Sequence, residues 1–295
     1  MSATEEASAL QKMTAADIAE LRQAMVLLEQ DTFTETVLNR AGKLMGGGLD
    51  VMSRFLPMAW RDNAAGMLET VLAKAFERVL LTIDRDGTGL TGRPWLDAPL
   101  SSSWIDGASA VLSGALGGLG GPATTAVELP ITTALLMRGI AQTALREGED
   151  LRTVESKLEC LKVLALGGSA GAPDAGYYSV RLAVAEAVPA LAHRTLQEIL
   201  PKLLTRVAQR FSVPVSAKIG SQAAPGIGAA AGALINLAFV DHFHRKALGH
   251  FRVRRFERTF GADEVRRQYE ALRLEWLTLR ARPASPARSA RLDET

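Results

Sequence analysis

The feature that most constrains this chain is the run at 225–241, PGIGAAAGALINLAFVD, which is uncharged up to its last residue and is followed at once by a basic segment. Glycine and alanine recur in it at helical spacing. Gly228 and Gly232 are four apart, as are Ala229 and Ala233. On a helix such small residues line up as a groove that lets another backbone approach closely. Pro225 stands where a helix can begin, because a proline in the first turn forfeits no hydrogen bond. A chain with such a segment must supply other elements that pack on it.

A second stretch of the same style lies at 107–127, which carries no charge. It contains GALGGLGGP at 114–122, with Gly114 and Gly118 four apart. The spacing predicts a helix, a glycine turn and a return helix after Pro122. Aromatic residues are only 5% of a chain that is 47% hydrophobic. That composition favours closely packed helices over strands of aromatic and β-branched residues. The expected fold is therefore all-α, a multi-helix bundle in which two Gly/Ala-rich apolar hairpins pack together.

The rest of the chain reads as helices around these hairpins. Residues 1–13 are expected to form a flexible N-terminus, 14–281 a single helical domain, and 282–295 a polar, disordered tail. Thr14 with Asp17 is a capping signal for a first helix reaching about Leu44. A second helix is expected over 58–83. A third ends near Gly148, and Asp150 is expected to cap the next. In that next helix Leu151, Val154, Leu158, Leu161 and Leu164 form one apolar stripe. A further helical region is expected to break at Pro189 and Pro201. Gly261 is expected to stop the helix that follows the second apolar stretch.

Both apolar stretches approach the roughly 20 residues that cross a bilayer. Glycines, Pro225, Gln222 and Asn236 weaken insertion of the second, and the first is weaker still. Spanning helices, buried hairpins and reversible surface association all remain open, with surface association preferred. Cys160 is the only cysteine, which suits a reducing compartment and rules out an internal disulfide. The first residues carry acids and no apolar core, unlike a secretory signal. The expected location is cytoplasmic, peripheral at the inner face of the cell membrane.

Several motifs invite chemistry. Ser169 in GGSAG, 167–171, fits G-x-S-x-G, and a serine hydrolase is one alternative reading. That motif requires a preceding strand, whereas LKVLAL continues a helical stripe. GIGAAAG at 226–232 lacks the strand of a dinucleotide site. DRDGTG at 84–89 lacks the glutamate that closes a calcium loop. His242 and His244 point to different helix faces, so neither a metal nor any cofactor is expected. Glu128 and Arg138 form a candidate buried polar pair. A soluble helical carrier of an apolar ligand is a further alternative.

The basic run is the stronger signal. Arg245, Lys246, Arg252, Arg254, Arg255 and Arg258 follow an apolar stretch, with Glu257 alone among them. No nucleic-acid motif accompanies them, and a net charge of +2 gives no global pull on nucleic acid. Cations beside an apolar helix match an anionic membrane surface. The expected partners are anionic lipids, and the chain also allows self-association.

Five pieces, in order, resemble the EcsC protein family: GALGGLGGPATTAVELP (114–130), GEDL (148–151), ECLKVLALGG (159–168), GYYSVR (176–181) and PGIGAAAGALIN (225–236). Glu128 stands where the family often has aspartate before Leu-Pro. The resemblance implies a bacterial, mostly helical protein whose founding gene neighbours an ABC transporter linked to secretion. An ABC transporter or another membrane protein is thus an implied partner. The family has no established catalytic set, so no residue roles carry over. The implied role is that of a non-catalytic, membrane-associated accessory or lipid-interacting protein.

Overall fold

Eight α-helices and no strand make up the regular structure in a computed structural model that describes residues 12–30, 58–80, 125–167, 176–186, 196–223 and 229–281. They are α1 (Ala15–Glu29), α2 (Met58–Ala75), α3 (Thr125–Arg146), α4 (Val154–Leu166), α5 (Tyr177–Ala185), α6 (Leu196–Ala223), α7 (Ala229–Phe260) and α8 (Ala262–Ala281). A π-helical turn, Phe76–Leu80, extends α2. The all-α expectation is met. Gly114, Gly118, Gly228 and Ser169 lie outside the described residues, as do the hairpin turns, and only the helical backbone of Gly232 is described.

The spine is α7, 32 residues and so about 48 Å long at 1.5 Å per residue. Its middle, Phe239 to Phe251, enters one apolar cluster with α2, α3, α4 and α6, where Phe211, Phe239, Phe243 and Phe251 are fully or almost fully buried. Its last turns, from Val253 to Phe260, enter a second cluster with α1, α5 and α8, built on Leu21, Met25, Val253, Phe256 and Tyr269. Buried positions on α7 recur every three or four residues: Phe239, Phe243, Ala247, His250, Val253, Phe256 and Phe260. One helix therefore joins two cores, and whatever lies midway along it sits at their seam.

Local chemistry sets the helix ends. At the start of α1 the Thr14 hydroxyl accepts from the Asp17 N–H, while an Asp17 carboxylate oxygen accepts from the Thr14 N–H at 2.7 Å. That is the reciprocal capping box. The α3 helix ends on Gly148, whose φ of +80° suits glycine. The Gly148 N–H donates to Leu145 O and the Glu149 N–H to Ala144 O, closing a Schellman turn. Gly261, at φ +87°, separates α7 from α8.

Two expectations need correction. The cap of α4 is Thr153, whose hydroxyl accepts from the Ser156 N–H, while Asp150 binds Arg152. Val154 is consequently the first residue of α4 and is 42% exposed, although Leu151, Leu158, Leu161 and Leu164 are buried as the stripe requires. Pro201 does not break a helix but lies inside α6, as does Pro214. A proline removes one backbone bond. Here the buried face Leu203, Val207, Phe211 and Val215 holds the helix together across both sites. Glu128 and Arg138 both lie on α3, and the Glu128 side chain, and with it the candidate polar pair, lies outside the described residues.

Close approach of α1 to α7 depends on Gly249. A Cβ there would lie 2.7 Å from Leu28 Cγ and 2.9 Å from the Ala24 carbonyl oxygen. Near this crossing the buried Lys246 ammonium donates to Leu28 O at 2.5 Å and to Gln30 O at 3.4 Å. It thereby satisfies carbonyls that the end of α1 leaves open.

Candidate functional site, a buried charge hub on α7

The Schellman turn after α3 aims Glu149 inward. Its carboxylate accepts from Arg254 Nε at 2.7 Å and from the Ser156 hydroxyl at 2.7 Å, and it also binds Arg258. Arg254 reaches Glu155 at 3.2 Å and Glu159 at 3.4 Å as well. Glu159 pairs with Lys162 at 2.7 Å, and its other oxygen lies 3.1 Å from His250 Nε2 without hydrogen-bond alignment. The opposite ring nitrogen of His250, Nδ1, is 2.8 Å from the Tyr177 hydroxyl.

From there the network runs into α5 and α8. Arg181 pairs with Glu257 at 2.6 Å, and the Tyr178 hydroxyl donates to the same carboxylate. The chain's three tyrosines, Tyr177, Tyr178 and Tyr269, meet with centroids 5.0–5.5 Å apart. Arg181 lies over two of these rings. Glu29, at the end of α1, accepts from the Tyr177 N–H and the Tyr269 hydroxyl, and its second oxygen accepts from Arg273.

The electrostatics follow from this geometry. Burial pushes the Glu159 carboxyl up, but contact with His250 and the charges of Lys162 and Arg254 hold it well below the usual carboxylate range. Glu149 is also held low, because bonds from Arg254 and Ser156 outweigh its burial. Burial pushes His250 down more than Glu159 raises it, and His242 and His244 are lowered chiefly by burial too. Burial raises the Cys160 thiol, as expected for a core cysteine.

These shifts share a sign. The histidines are neutral in the fold and take protons in the unfolded chain below the usual 6.5. The glutamates stay ionised in the fold and take protons in the unfolded chain below the usual 4.5. In both windows the unfolded state binds more protons, so stability falls as pH falls. Urea midpoints are expected to decline from pH 6.5 towards 5 and to drop again below 4.5. A flat profile across both windows would contradict the neutral-histidine, ionised-glutamate hub.

Glutamate, histidine and tyrosine in series could in principle relay a proton. Here they are closed off: His250 is fully buried, and Glu159 and Tyr177 are 3% and 4% exposed. A surface depression of about 610 Å³ lies elsewhere, beside Met13, Ile18, Phe260, Asp263 and Arg267. No group of three histidine, cysteine or acidic residues placed to hold a metal occurs among the described residues. The segment before Ser169 is the helix α4, not the strand that a nucleophile elbow needs.

The basic run of the sequence is largely part of this hub. Arg252 and Arg255 both bridge Glu20 of α1 and Glu147 of the α3 end. Arg258 binds Glu149 and also donates to Glu147 O. Lys246 is buried against α1, and Arg245 pairs on the surface with Asp241 of its own helix at 2.9 Å. Counted together, Glu20, Glu147, Glu149, Glu155, Glu159 and Glu257 face Lys162, Arg181, Arg252, Arg254, Arg255 and Arg258, so the ion pairs balance. Any lipid contact by these arginines would compete with those pairs. Lys246 is buried, and the Arg254 side chain, 12% exposed, is engaged by Glu149, Glu155 and Glu159.

Three pieces of the family resemblance converge here. GEDL supplies Gly148 and Glu149, ECLKVLALGG supplies Glu159, and GYYSVR supplies Tyr177, Tyr178 and Arg181. No helix of the described residues is long and apolar enough to cross a membrane. No curated protein and no solved structure matches the chain. The model of the EcsC protein family matches residues 105–256, just over half of the 295 residues and most of the hub, and the chain belongs to that family.

Proposed function

We propose that this chain is a non-catalytic, membrane-associated accessory protein, acting at a lipid surface in support of a membrane partner such as an ABC transporter linked to secretion. The observation that carries the non-catalytic part is the closure of the hub. Its acid, base and hydroxyl groups are buried against one another at the seam of two apolar cores. A reacting substrate would need an opening there. The membrane part is supported by the two uncharged, glycine-rich stretches in the sequence, 107–127 and around 225–240. Family membership agrees with this reading.

Fractionation of expressing cells tests it. The protein is expected in the membrane pellet at low salt and in the supernatant after carbonate or high-salt washing. Recovery in the soluble fraction at low salt, with nothing in the pellet, would overturn the membrane association. Replacing Arg252, Arg254 and Arg255 with glutamate, a natural probe of the basic run, is unsuitable here. It would add carboxylates to a cluster of buried carboxylates and unfold the protein.

A further inference from the structure

At the seam of the two cores the fully buried His250 ring faces a different helix with each nitrogen. Nε2 lies 3.1 Å from Glu159 Oε2 of α4, and Nδ1 lies 2.8 Å from the Tyr177 hydroxyl of α5. Lys162 and Arg254 both sit on the other oxygen of Glu159, Oε1, at 2.7 and 3.4 Å. Nε2 and Oε2 are thus left to face each other, and neither has an aligned hydrogen bond.

A neutral imidazole has one N–H and one acceptor nitrogen. Burial raises the Tyr177 hydroxyl, which therefore keeps its proton and donates it to Nδ1. The proton of the ring is then on Nε2, towards Glu159. A second ring proton breaks this arrangement. The Tyr177 hydroxyl can accept from Nδ1–H only by turning its own proton away, and it makes no other hydrogen bond among the described residues. A buried hydroxyl proton without an acceptor is costly. Contact with Glu159 favours a charged ring, but burial outweighs it, and Arg181 of α5 and Arg254 add to burial. The other charges nearby are already engaged. Glu149 from the end of α3 binds Arg254, Glu257 binds Arg181, and Lys246, one turn back on α7, is bonded to α1. Glu29 of α1 is held by Tyr269 and Arg273 of α8.

The element that gives way is α5. It has nine residues, its N-cap Gly176 makes no side-chain bond, and only Tyr177, Val180 and Val184 of it are buried. By contrast α6, with 28 residues, buries Leu203, Val207, Phe211 and Val215 among others. Elements with little buried apolar contact open at the lowest free energy. We propose that His250 is a proton-operated joint: a second proton on its ring, between Glu159 and Tyr177, frees α5 from α7 while the core around α6 stays folded.

Hydrogen–deuterium exchange of the full chain, read by mass spectrometry and corrected for the intrinsic pH dependence of exchange, follows each helix separately. From about pH 7.5 to about 5 the histidines titrate while most carboxylates stay ionised. Below 6.5, the ordinary histidine value, opening of α5 should increase about tenfold per pH unit, the linkage of one proton. Residues 203–215 of α6 should stay protected. His250→Gln takes up no proton in this window, so its α5 opening should be flat with pH. His242→Gln and His244→Gln should keep the wild-type rise. Wild-type opening of α5 that is flat with pH, or that rises only in step with 203–215, would overturn the proposal. So would a rise that persists in His250→Gln. If His250→Gln does not fold, the two wild-type helices and the two control variants decide alone, and loss of the rise in either control overturns the assignment to His250.

Discussion

Arg254→Ala is expected to destabilise the protein by about 3–5 kcal/mol, the loss typical of removing one partner from a buried ion pair. The side chain is 12% exposed, and those of its partners Glu149 and Glu159 are 2% and 4% exposed. Without the guanidinium, two carboxylates remain in a site that water reaches poorly. Ser156 and Arg258 at Glu149 and Lys162 at Glu159 compensate only in part. Arg254→Lys is expected to recover only a fraction of the loss, because one ammonium cannot span Glu149, Glu155 and Glu159 as the planar fork does. Urea denaturation followed by far-UV circular dichroism measures both. A loss below about 1 kcal/mol for the alanine variant, the scale of an exposed pair, would place Arg254 on a solvated face.

Phe243→Ala is expected to cost about 3–5 kcal/mol as well, here through a cavity. Phe243 is fully buried, with the rings of Phe211 and Phe239 at 5.3 and 5.1 Å between centroids. Its ring also occupies the space beside Gly167, where a Cβ would lie 2.3 Å from Phe243 Cε1. Gly167 has φ −73°, so space and not backbone conformation excludes a side chain there. Gly167→Ala should therefore destabilise the wild type and cost clearly less in the Phe243→Ala background, where only His242 Nε2, 3.1 Å away, still crowds the added Cβ. Equal costs in both backgrounds would mean that the two residues do not meet.

Features that rest on neighbouring residues were legible in the sequence. The capping box at Thr14 and Asp17, the glycine stops at 148 and 261 and most of the stripe on α4 follow from local spacing, and all appear in the structure. The all-α class followed from composition and period in the same way. The hub was hidden for a physical reason. Arg254 finds Glu149 across 105 residues and Arg255 finds Glu20 across 235. A window around 245–258 shows six cations and one acid, which resembles a surface patch. The missing carboxylates arrive only when α1, the GEDL turn and α4 pack on α7. One sign was available: the run is interrupted by Phe251, Val253 and Phe256 at a spacing that buries one side of the helix. A helix buried on that side carries its arginines into contact with its neighbours. The aromatic signal was also split, because Tyr177 and Tyr178 reach Tyr269 only through the α7–α8 turn at Gly261.

Whether the basic run is an internal hub is read most directly from the coupling energy between Arg254 and Glu149. The measurement is a double-mutant cycle with Arg254→Met, Glu149→Gln and the double variant, repeated at low and high salt. A buried, hydrogen-bonded pair should show coupling on the order of 1–3 kcal/mol that changes little as salt is raised, because buried charges are weakly screened. Coupling near zero, or coupling that disappears in high salt, would contradict the hub and return the run to the protein surface.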